Sequence, residues 1–102
     1  MKRQAGRLHL AASIEEATPG IAVRVTETFL ERHPDWVARY GARARKYGIE
    51  DATFHLRFLA GAVVADSPAS FQDYVRWTAR MLGKRGIAAE FLIENLEDIR
   101  EA

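Results

Sequence analysis

Residues 50–65 read as a helix with almost no polar face. Ala52, His55, Leu56, Leu59, Ala62 and Val63 share one stripe at helical spacing, and Phe54 and Phe58 cover its flank. A helix that is apolar nearly all round holds in water only when other helices pack against it, so this segment belongs at the centre of the fold. No run with a two-residue period suggests a strand anywhere in the chain. The class is therefore all-α, a bundle of five to six helices.

The same segment carries the one strong departure from a bland pattern. Asp51 and His55 lie four residues apart, which puts a carboxylate and an imidazole on one helix face. Burying either group costs free energy unless it meets a partner or a ligand. Glu50 and Asp51 also supply the negative charge favoured in a first helical turn.

The flanking segments follow from their punctuation. Leu8, Ala11 and Ala12 give a modest amphipathic helix over about 4–17, with residues 1–17 expected to fray. Thr18 reads as an N-cap with Pro19 at the first helical position, starting a second helix with Ile21, Val25 and Phe29 at four-residue steps down to His33-Pro34. Pro34 restarts the chain through Trp36 and Tyr40 in a short or irregular helix, and Gly48 is expected to break it before the central helix. Ser67-Pro68 caps a helix running to about Gly83, in which Phe71, Tyr74, Val75, Thr78, Met81 and Leu82 hold the apolar period. Phe91, Leu92, Asn95, Leu96 and Ile99 define the last one.

Composition narrows the function. With 102 residues and 48% hydrophobic content, the chain is expected to form one domain over 1–102. Lys and Arg total 15 against 14 Asp and Glu, so no basic excess points to nucleic acid. Cys is absent, which excludes disulfides, thiolate metal sites and thiol catalysis. The basic start Met1-Lys2-Arg3-Gln4 is followed by no long apolar run, so neither a secretory signal nor a membrane span is expected, and the cytoplasm is the default location.

Several phrases of the chain resemble the phycobiliprotein-like branch of the globin-like superfamily, in particular bacterial cofactor-free relatives found attached to cobalamin-binding domains or near bilin pathways. The likeness rests on Tyr40-Gly41-Ala42-Arg43, Glu50-Asp51, Phe54-His55-Leu56, Asp66-Ser67-Pro68, Phe71, Asp73-Tyr74-Val75 and Arg85-Gly86-Ile87, in that order. It spans about 18–99. The resemblance implies a globin-like bundle that lacks its last helix, a fold that pairs with itself or with a partner domain, and no bound cofactor. By position it aligns Gly48 with the Cys that carries the pigment in light-harvesting relatives, Asp51 with their pyrrole-binding Asp, and Arg43 and Lys46 with a basic stretch that holds propionates. Without the thiol, any bilin or haem would bind non-covalently.

Each candidate residue has a plain structural reading beside its functional one. His55 can ligate haem iron or another metal, or simply be a core His bonded to Asp51 or a backbone carbonyl. Asp51 can accept from pyrrole N–H groups or complete a helix end. Arg43, Arg45 and Lys46 can clamp acidic groups or be solvated surface. Trp36, Tyr40, Tyr74 and Trp77 can stack on a planar ligand, but more often such residues are core or contact. Tyr74, Trp77 and Met81 lie on one side of their helix and suit a partner helix, so they are the expected interface. His9 and His33 fall outside metal-ligand spacing, and no hydroxyl has a base nearby, so no catalytic residue is assigned. The expected function is a non-enzymatic sensory or assembly module acting through self-association or a partner domain. The alternative is non-covalent tetrapyrrole binding by Asp51, His55, Arg43 and Lys46.

Overall fold

The computed structural model of the protein describes residues 2–101, with side chains over 5–101, so the side chains of the basic start at 1–4 lie outside the described residues. Five helices and no strand occur among the described residues: α1 Lys2–Arg32, α2 Pro34–Tyr40, α3 Ala42–Val64, α4 Pro68–Lys84 and α5 Ala89–Glu101. The all-α class stands. None of these helices is long and apolar enough to cross a membrane.

Two punctuation marks act differently from their sequence reading. Thr18-Pro19-Gly20 does not start a helix, because α1 runs through it for 31 residues with Pro19 inside. The Thr18 hydroxyl, rather than capping forward, donates back to the Ile14 carbonyl at 2.7 Å. Pro19 brings no N–H for the Glu15 carbonyl, a defect that costs about 3 kcal/mol in an isolated helix. Packing offsets it here, since buried Ala11 precedes the proline and buried Ala22 and Val25 follow it.

Gly48 likewise does not break the chain but sits inside α3. A Cβ built there would lie 2.7 Å from the Thr26 Cγ2. The glycine is needed because α1 and α3 approach closely at that level. Ala22, Ala52 and Leu56 form the centre of this seam, with Ile14, Ile21, Ile49 and Ile99 packed around it.

The remaining punctuation behaves as read. Pro34 opens α2, which ends at Gly41 with φ +62°. Ser67 caps α4, its hydroxyl accepting from the Ser70 N–H at 3.2 Å. The turn before that cap closes α3 with Ser67 N–H on the Ala62 carbonyl and Asp66 N–H on that of Val63, which forces Asp66 to φ +52°. Helix α4 ends in the same way, with Gly86 at the left-handed position.

Helix α5 packs on α1 through Phe91 against Phe29 and Ile99 against the core, and ion pairs run along the exposed edge of that contact. Arg32 donates to both Asp98 oxygens at 2.9 and 3.0 Å, and His33 Nε2 lies 2.9 Å from Glu94. The result measures 51 × 26 × 18 Å, and its thinnest dimension is about two helix layers.

Candidate functional site

His55 is carried to the interior by α3 and is 5% exposed. Its Nδ1 meets the Tyr74 hydroxyl of α4 at 2.7 Å, so its partner is neither Asp51 nor a backbone carbonyl. Burial drives its pKa down from 6.5 to about 4. The ring is neutral near pH 7, which leaves it able to act as a ligand or a hydrogen-bonding group.

Asp51 does not share that interior. The residue is exposed at the rim one turn before His55. Its carboxyl is nevertheless partly desolvated, which raises its pKa; Arg85 opposes the rise and Glu50 adds to it. The expectation of an acid and an imidazole buried together is thus corrected: His55 is inside and Asp51 is exposed at the edge.

All five helices converge on a pocket of about 200 Å³ beside this pair. Thr26 and Phe29 come from α1, Trp36 and Tyr40 from α2, Arg43 and Tyr47 from α3, Leu82 from α4, and Phe91 and Asn95 from α5, with Arg85 from the turn between the last two. Trp36 packs edge-on against Phe91 and Phe29, with centroids 5.1 and 5.4 Å away. Asp51, His55 and Arg43 are therefore brought together. Lys46 is exposed elsewhere on α3 and takes no part in the lining.

A broader groove opens on the other side of His55, between α3 and α4. Phe54, Phe58, Tyr74, Trp77 and Met81 line it, and Asp51, His55, Leu82 and Arg85 belong to both spaces. Trp77 is 54% exposed and Phe54 61%. Tyr74 is largely covered, since its hydroxyl meets His55 and its ring stacks on Phe58 at 4.2 Å.

Sequence reasoning missed Arg85, Thr26, Asn95 and Phe91. Arg85 entered only in the phrase Arg85-Gly86-Ile87, with no site role, and Phe91 and Asn95 were read only as one face of a helix. Thr26 offered a single signal, a β-branched polar residue inside an apolar helical stripe. Compared with family models, curated proteins and solved structures, the chain matches none.

Proposed function

We propose that this chain is a non-enzymatic assembly module of the cytoplasm that pairs with a second copy of itself through the groove between α3 and α4. The observation that carries this reading is a continuous aromatic surface: Phe54, Phe58 and Trp77 are 61, 45 and 54% exposed along one groove that also holds Tyr74 and Met81. Aromatic and Met side chains grouped in this way are the usual composition of an interface centre. The fold has little interior of its own, since Leu56 is its one large side chain exposed by no more than 2% among the described residues. Covering the groove adds what the core lacks. A net charge of +1 leaves two copies with little mutual repulsion. The phycobiliprotein-like, globin-like kinship belongs to the same proposal, which agrees with an all-helical chain that associates through helices.

Sedimentation velocity across a concentration range tests the idea. A monomer–dimer equilibrium is expected, with Trp77→Lys weakening it by at least about tenfold, as loss of a central aromatic does. A chain that stays monomeric at high concentration, or a Trp77→Lys variant that pairs unchanged, rejects it.

Non-covalent binding of haem or a bilin is the second reading, favoured by Asp51, His55 and Arg43 lining one pocket. With Nδ1 engaged by Tyr74, Nε2 is the nitrogen left for a metal. The pocket's 200 Å³ is below the range of about 300–1,000 Å³ usual for larger ligands. A tetrapyrrole would have to extend into the groove and compete with the second copy. Added haem should then give a visible absorption band that His55→Ala weakens, together with a shift toward monomer; no band at saturating haem removes this reading.

A further inference from the structure

The helices leave two buried polar atoms without partners in the same pocket. Thr26 is 2% exposed and its Oγ1 makes no hydrogen bond; Asn95 Oδ1 is also buried and unpartnered. Thr18 and Thr53 each donate to a carbonyl one turn back at 2.7 Å, whereas buried Thr78 is a further orphan and lines the α3–α4 groove instead. Buried polar groups are almost always satisfied, so two orphans lining one cavity point to something that enters it.

The rest of the lining says what kind of molecule that is. Phe29, Trp36 and Phe91 supply aromatic surface. Two arginines, Arg43 and Arg85, and one carboxylate, Asp51, line the pocket, a surplus of one positive charge. Asn95 Oδ1 can only accept, so its partner must bring a hydrogen. An apolar cavity of about 150 Å³ holds benzene. The 200 Å³ available here therefore takes one ring with short substituents.

We infer that the pocket binds a small aromatic carboxylate that also carries an O–H or N–H donor, its ring against Trp36 and Phe91, its carboxylate at Arg43 and Arg85, and its donor at Thr26 and Asn95. The inference goes beyond self-association and does not rest on it.

Calorimetric titration of the purified chain with 3- and 4-hydroxybenzoate, which present the donor at two angles, tests it directly. At least one should bind saturably. Benzoate, lacking the donor, and the matching cresol, lacking the carboxylate, should each bind roughly tenfold more weakly. Thr26→Val should reduce hydroxybenzoate affinity by a similar factor of about ten, leave benzoate unchanged, and not lower the urea midpoint of the free protein, because the hydroxyl it removes has no partner there. Arg43→Gln combined with Arg85→Gln should abolish the preference for the acid over the cresol. No saturable binding by either hydroxybenzoate up to millimolar concentration overturns the proposal. So does equal affinity for all the ligands, or an amide-shift map centred on Trp77 and Met81 instead of Trp36 and Phe91. The comparison of ligands on the unaltered chain decides the matter even if a variant fails to fold.

Discussion

Helix α3 meets α1 on one side and α4 on the other, and the two contacts are built from opposite materials. Toward α1 the residues are small: Ala22 and Ala52 are fully buried, and Gly48 lets Thr26 come within a distance that no Cβ would allow. Toward α4 they are large, and Phe54, Phe58 and Trp77 remain about half exposed. Small residues let two backbones close on each other and exclude water, while bulky ones hold the helices apart and leave apolar surface over. In this protein the tight seam stabilises the fold, and the loose one is available for binding.

The largest effect is expected from breaking the tight side. Gly48→Leu puts a side chain where a single Cβ already meets Thr26 at 2.7 Å, and the forced separation of α1 and α3 should cost about 3 kcal/mol or more in urea unfolding. A loss below 1 kcal/mol would mean that the seam adjusts freely.

His55 joins the two sides, and acid should loosen it. The unfolded chain takes up a proton near pH 6.5 and the native state resists until about pH 4, so the unfolded state holds more protons in that window and stability falls as pH falls. The full loss is up to about 3 kcal/mol. Asp51 acts in the opposite sense, because a raised carboxyl pKa favours the native state at the acid end. Urea midpoints measured from pH 7 to 4 should decline in the unaltered chain and stay nearly level in His55→Gln.

The smallest effect belongs to the turn that sets α4 against α3. Asp66 holds φ +52° without being glycine, so Asp66→Gly should gain about 0.5 kcal/mol once the entropy of the freer unfolded chain is set against relief of the strained backbone. The exposed Arg7–Asp66 pair at 3.7 Å is too long and too wet to reverse the sign. A loss in thermal unfolding would contradict this.

Much of the architecture was legible from local chemistry. Ser67-Pro68 announced α4, Pro34 announced α2, and the all-round apolar character of 50–65 placed α3 at the centre. Thr18-Pro19 and Gly48 misled because capping and breaking residues speak only for isolated helices. In α1 and α3 tertiary packing outweighed them, through contacts between positions far apart in sequence. The site was legible in part for the same reason. Asp51 and His55 could be paired by their four-residue spacing and Arg43 was joined to them only through the resemblance, whereas Thr26, Arg85 and Asn95 meet them only once the chain has folded.

The 18 Å thickness of the molecule has one last consequence. A slab of this kind has no deep interior to insulate its two broad faces. The aromatic groove and the pocket share His55 as a common wall, so whatever presses on one side of that imidazole reaches the other.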